Sequence, residues 1–150
     1  MTLDPPGQKP SLKERLVGTW TLLSWEQKKS DGTKVECYGT SPKGIAFFDA
    51  DGRYIISVMR SGRAKYASNA LWQGTPEENK ETADGTITYF GTYSVSEADS
   101  SIAIHVEGSS YPNWNGTDQK RFVSIVGELL TLTVRPAAGD VVDVTWVRAT

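Results

Sequence analysis

The sequence predicts an all-β protein, folded as one antiparallel barrel with up-and-down connections between about nine strands. Short runs rich in Val, Ile, Thr, Tyr, Phe and Trp recur along the chain, and turns containing Gly, Asp or Ser separate them. Most connections are too short for the helices that parallel strands require. The length of 150 residues is typical of one domain. A closed barrel would also remove the exposed edges of such a sheet.

The N-terminal part of the chain predicts two short segments before the first strand. Residues 1–10 carry three prolines and no apolar run, so we expect a flexible lead-in there and a single domain over 11–150. A short helical turn is predicted over 11–16, because Ser11 can cap it and Glu14 stands three residues further on.

The strands then follow one another in hairpin order. Asp31-Gly32 and Asp51-Gly52 supply two of the tight turns. One short helix over about 76–83 interrupts the sheet, since Thr75 can cap it and Pro76 suits its first position. The strands are predicted at 20–29, 34–38, 44–48, 53–60, 86–95, 101–108, 119–126, 129–135 and 141–148.

Composition excludes several kinds of partner. The 16 Lys and Arg nearly balance the 18 Asp and Glu, which leaves no basic field for nucleic acid. No run approaches the roughly 20 apolar residues of a membrane-spanning helix, and we expect no membrane association and a cytoplasmic location. The oligomeric state is not predicted.

Residue types also argue against a metal or a cofactor. Cys37 and His105 are the single cysteine and the single histidine, so a disulfide within the chain and a cysteine-based metal cluster are excluded and zinc is not expected. The chain has no glycine-rich dinucleotide motif and no Walker-type loop, so no nucleotide cofactor is predicted.

Both ends of the domain carry a family resemblance. Gly18-Thr19-Trp20 resembles the Gly-x-Trp signature that opens lipocalin-type barrels, and Trp146-Val147-Arg148 closes the chain. The resemblance implies that Arg148 lies over Trp20 and seals one end of the barrel. Such a cation over an indole face contributes about 0.5 to 2 kcal/mol.

A fuller match extends over nearly the whole chain. It resembles the lipocalin-like domain family of bacteria and fungi, which implies a barrel with an internal cavity but no single activity. The segments that carry it are 16–25, 38–44, 51–54, 89–93, 105–109, 112–114 and 116–119, together with Arg121 and 146–148.

One strand presents a possible catalytic pair. Alternation puts His105 and Glu107 on one face and Ile102, Ile104 and Val106 on the other. If the isoleucines point inward, the pair faces solvent, and Glu107 could instead form an ion pair with a neighbouring strand. If the pair points inward, His105 can exchange a proton near neutral pH and Glu107 can orient the ring or act as a base.

Further residues could complete a mixed polar and aromatic cavity, which is the usual composition of a ligand site. Each of them could equally be a packing residue. The candidate ligand-binding residues are Trp25, Ser57, Met59, Tyr89, Tyr93, Trp114 and Arg121.

Three functions remain open from the sequence. The first is binding of a small, largely apolar or aromatic metabolite inside the barrel. The second is a cofactor-independent isomerase or cyclase in the same cavity, with proton transfer by His105 and Glu107. The third is a barrel that docks a partner protein through the connection over 61–85, and a filled interior would favour it.

Overall fold

The computed structural model describes residues 9–136 and 139–150. Most of the lead-in predicted over 1–10 therefore lies outside the described residues. The described part contains two α-helices, α1 (Leu12–Leu16) and α2 (Pro76–Asp84), and one 3-10 turn, Pro112–Trp114. Its strands are β1 (Gly18–Lys28), β2 (Lys34–Glu36), β3 (Lys43–Phe48), β4 (Arg53–Met59), β5 (Thr86–Ser96), β6 (Ser101–Ser109), β7 (Asp118–Val126), β8 (Leu129–Val134) and β9 (Val141–Arg148).

Eight of these strands close into an antiparallel barrel, as the sequence predicts. Strands β3 to β9 pair in chain order, and β1 joins β3 on one side and β9 on the other. The three-residue β2 differs from the predicted barrel strand over 34–38. It pairs only with the second half of β1, beyond the residues of β1 that pair with β3, and so it lies outside the ring.

The core fills one end of the barrel, next to α1. Five large side chains there expose about 1% of their surface or less, namely those of Leu16, Trp20, Phe48, Ile102 and Ile104. They come from one helix and three different strands, and alternation along each strand directs them to the same side of the sheet. This end is therefore packed with side chains, and the site has to lie elsewhere.

Arg148 covers this packed end. Its guanidinium carbon lies 4.1 Å from the centre of the Trp20 ring. The same group donates hydrogen bonds to the backbone oxygens of Val17 and Arg15, while the Trp20 indole donates to the oxygen of Leu16. The geometry is the one that the family resemblance implies, and it ties the last strand to the segment before the first.

A bulge in β1 changes which of its side chains face inward. In β1, Leu22 pairs with Trp146 and Ser24 with Thr145, which leaves Leu23 as an extra residue. Because a bulge shifts the alternation by one residue, the inward set changes from Trp20 and Leu22 to Trp25 and Gln27.

The second bulge lies between β5 and β6. Phe90 pairs with Gly108 and Gly91 with Val106, so Glu107 has no partner on β5. A side chain at Gly91 would meet the backbone oxygen of His105 at 1.9 Å, so the close approach of the two strands requires glycine there.

The helices agree closely with the sequence patterns. Ser11 accepts a hydrogen bond from the Glu14 amide at the start of α1, and Thr75 and Glu78 form a complete capping box at the start of α2. The sequence patterns do not predict the 3-10 turn Pro112–Trp114. In the described ranges we find no helix with the length and apolar character needed to cross a bilayer.

Candidate functional site

An internal cavity of about 230 Å³ lies toward the barrel end opposite α1. Its wall comes from the last residues of β1 and β8, the first residues of β5, β7 and β9, and the turn after β6. Bulky residues fill the barrel at the α1 end, but the side chains at the opposite end leave part of the interior empty. The residues of the wall are Trp25, Gln27, Cys37, Tyr89, Trp114, Gln119, Arg121, Leu132, Val134, Pro136, Val142, Val144 and Trp146.

Aromatic rings form much of the wall and hold one another in edge-to-face contacts. The rings of Tyr89 and Trp114 lie 5.1 Å apart at 88°, and those of Trp25 and Tyr38 lie 4.9 Å apart at 64°. Such contacts fix the orientation of each ring. Leu132 and Val144 are buried on the neighbouring strands β8 and β9 and add aliphatic surface.

One polar chain crosses the wall along β7. The Arg121 side chain donates through Nη2 to Gln119 Oε1 at 2.6 Å, and Gln119 Nε2 donates to Thr117 Oγ1 at 3.0 Å. The Thr117 hydroxyl donates in turn to the backbone oxygen of Trp114. The chain therefore holds the guanidinium in a fixed position, with its carbon 6.0 Å from the centre of the Trp114 ring.

Burial controls ionisation in and beside the wall. It raises the pKa of the Cys37 thiol, which favours the protonated form over a reactive thiolate. Burial likewise raises the pKa of Tyr38 to about 12. It also raises the pKa of Tyr89, although the charge of Arg121 and a hydrogen bond from it act in the opposite direction.

Of the two orientations that the sequence leaves open, the structure has the one in which His105 and Glu107 face solvent, so the proposed catalytic pair does not lie in the barrel. Both are exposed on the outer face of β6, while Ile102, Ile104 and Val106 are buried inside. His105 Nδ1 lies 2.8 Å from Asp118 Oδ1 on the adjacent strand. The aliphatic face is turned inward because burying it removes apolar surface from water, whereas burying the pair would cost desolvation.

Three other candidate residues lie away from the cavity. Ser57 and Met59 are on the outer face of β4, and the Ser57 hydroxyl lies 2.8 Å from that of Thr88. Tyr93 is buried, but at the α1 end, where its hydroxyl donates to the backbone oxygen of Asp49. The prediction that Ser57 and Met59 line the interior is wrong, because they alternate with the buried Ile56 and Val58.

The candidate residues that do meet at the cavity are Trp25, Tyr89, Trp114 and Arg121. A family model for the lipocalin-like domain matches residues 17–146. The chain belongs to the lipocalin-like domain family. The match extends over every strand of the barrel, so the cavity lies within the family domain.

Two known proteins resemble this lipocalin-like chain. The 4'-hydroxy-3'-methoxypropiophenone carrier protein ppsC of Aspergillus oryzae is 40% identical in an alignment 86 positions long, which covers 53% of this chain and 78% of that protein. The solved structure of a redesigned beta barrel aligns with 96% of this chain and all of that one, at 12% identity and a TM-score of 0.47. The second likeness is too distant to bear on function.

Much of the lipocalin-like wall was not predicted from the sequence. Gln119 shares the inward face of β7 with Arg121, and Leu132, Val134, Val142, Val144 and Trp146 alternate inward on β8 and β9. Their alternation is visible in the sequence, but it does not identify which end of the barrel stays open. Cys37 and Pro136 follow strand ends and carry no periodic signal.

Proposed function

We propose that this protein binds and carries one small, largely apolar aromatic molecule in the barrel cavity. The aromatic wall around an unfilled space of about 230 Å³ is the observation that carries the proposal. Apolar cavities of about 150 Å³ hold a benzene molecule. The space therefore suits one substituted ring with a short side chain.

The relative from Aspergillus oryzae supports the same class of ligand. Its name describes a carrier of 4'-hydroxy-3'-methoxypropiophenone, which has one aromatic ring and a short ketone chain. A compound of this size fits the ring-plus-chain space, and the wall offers Trp25, Tyr89, Trp114 and Trp146 for stacking.

Isomerase or cyclase chemistry is not favoured. The pair expected to transfer the proton, His105 and Glu107, faces away from the cavity. Docking through the connection over 61–85 is also less well supported, because the barrel interior is not filled. Binding without chemical change requires only what the wall offers, namely shape, apolar surface and a few polar groups.

The test is a fluorescence titration of the purified protein with 4'-hydroxy-3'-methoxypropiophenone. Three tryptophans line the cavity, so an occupied cavity changes the intrinsic emission. Val144→Phe adds a ring to the buried wall, and Val126→Phe makes the same change on a side chain that is 73% exposed at the end of β7. We expect binding at least about tenfold weaker in V144F and unchanged in V126F, since about 1.4 kcal/mol of lost contact suffices.

The bound compound is then extracted and its mass and structure are compared with those of the compound added. Recovery of an unchanged compound supports a carrier. Equal binding by wild type and V144F would place the ligand outside the cavity and refute the proposal. Conversion of the compound would refute the carrier role in favour of catalysis.

A further inference from the structure

Within the described part of the chain, Arg121 is a buried cation without an anionic partner. It is 7% exposed, and it alone among the described residues of the wall carries a charge. Across residues 9–136 and 139–150, no carboxylate lies within ion-pair distance of its nitrogens. Burying an unpaired charge is costly, so an anion at this position would be strongly favoured.

The contacts of Arg121 within the protein are to neutral groups. Its two terminal nitrogens donate to Gln119 Oε1 at 2.6 Å and to the backbone oxygen of Lys120 at 3.2 Å. The Tyr89 hydroxyl also accepts a hydrogen bond from this guanidinium. A guanidinium has five N–H donors, so these three bonds still leave donors for a ligand. The hydrogen bonds through Gln119 already hold the guanidinium in place, so this side chain would not have to become ordered when a ligand binds.

A second wall residue also has an unused donor. Trp146 is fully buried, and its Nε1–H has no hydrogen-bond acceptor in the part of the chain that the structure describes. Leaving a buried donor without an acceptor is unfavourable. The Trp146 nitrogen has almost no surface open to the cavity, so the free donors of Arg121 are the ones that favour a ligand with an acceptor oxygen.

Resting on the proposed function, we propose that the carried molecule is a small aromatic acid, whose anionic oxygen pairs with Arg121 while its ring packs against the aromatic wall. The anionic oxygen is a carboxylate or an acidic phenol, because both offer the same charge and the same acceptor geometry to a guanidinium.

The experiment compares matched acidic and neutral ligands at neutral pH by titration calorimetry. Phenylpropionate against phenylpropionamide tests the carboxylate, and a para-acyl phenol against its methyl ether tests the phenolate. Each pair is titrated into wild type, Arg121→Gln and Lys120→Gln. The last is the matched control, because Lys120 precedes Arg121 on β7 but points to the outer face, where it pairs with Asp99.

We expect wild type and K120Q to bind at least one acid about tenfold or more tightly than its neutral partner, and R121Q to lose that preference. The pair that shows the preference identifies the anionic group. Equal binding of acid and neutral ligand by wild type, or a preference that survives in R121Q, would overturn the inference and leave the carrier function intact. If no ligand of either pair binds wild type, the proposed function fails as well.

A measurement on wild type keeps the inference testable if R121Q does not fold. The Arg121 side-chain N–H resonances, observed by nitrogen-15 NMR, should shift when the preferred acid is added and stay in place with its neutral partner. Equal shifts with both ligands would overturn the inference.

Discussion

Replacing Arg148 by methionine should destabilise the barrel strongly, because one side chain joins the two ends of the chain. The cation–π contact with the fully buried Trp20 contributes about 1 kcal/mol at the 30% exposure of the Arg148 side chain. The hydrogen bonds to the oxygens of Val17 and Arg15 contribute about 1 kcal/mol each. We therefore expect R148M to lower the free energy of unfolding by about 3 kcal/mol.

Urea unfolding followed by tryptophan fluorescence measures this loss. With a slope of about 2 kcal/mol per molar urea, the midpoint should fall by about 1.5 M. The matched control is Arg53→Met, because Arg53 is exposed and its side chain has no hydrogen bond or ion pair in the described structure. R53M should stay within about 0.5 kcal/mol of wild type. A loss in R148M no larger than that in R53M would refute the closing role of Arg148.

Three further predictions concern the backbone, a carboxylate and a helix cap. Gly91→Ala should lower the free energy of unfolding by more than about 3 kcal/mol, because the new Cβ would meet the His105 oxygen at 1.9 Å. Gly116→Ala has open space around the new Cβ and should lower it by only about 1 to 2 kcal/mol, because of the positive φ at that position. Equal losses of stability for the two variants in urea unfolding would contradict this prediction. The pKa of Asp99 is lowered, most by a hydrogen bond from the Lys120 ammonium and less by hydrogen bonds from nearby serines. The stabilisation that the Asp99 carboxylate provides is therefore complete above the usual carboxyl pKa of about 3.9, and it is lost as the pH falls through the lowered pKa. Asp99→Asn should therefore be less stable than wild type at neutral pH and approach it in acid, and a difference independent of pH in urea unfolding would speak against that cause. Thr75→Ala removes the cap of α2 and should reduce the protection of its amides in hydrogen exchange by about 1 kcal/mol. Because α2 buries no residue, amides of the barrel strands should keep their protection, and a loss there would show that the helix is part of the cooperative core.

The fold was predictable because its signals are local. Alternation over a few residues, together with turns such as Asp31-Gly32 and Asp51-Gly52, predicts the strands within a few residues of their observed bounds. Thr75, Pro76 and Glu78 predict the start of α2 in the same way. The short β2 is the exception, because local alternation does not reveal whether a strand joins the ring.

The candidate site was only partly predictable, because alternation defines two faces and does not identify the inner one. His105 and Glu107 share a face, but the bulk and apolar character of Ile102 and Ile104 turn that face outward. For Trp114 and Arg121, the type of residue was a better indicator of a place at the cavity than the position in the alternating pattern of a strand. Trp114 reaches the cavity from a turn, and Arg121 reaches it from the strand that follows.

The sequence by itself determined the class of fold, the order of the strands and the pairing of Trp20 with Arg148 that the family resemblance implied. Only the tertiary structure decided where the cavity lies and what faces it. The physical reason is that these properties depend on long-range packing: the bulge at Leu23 brings Trp25 inward, and bulky residues fill the α1 end while the opposite end keeps its space. The position of Arg121, buried in that space with no carboxylate of the described residues beside it, likewise follows from the closed ring of strands and not from its neighbours in the chain.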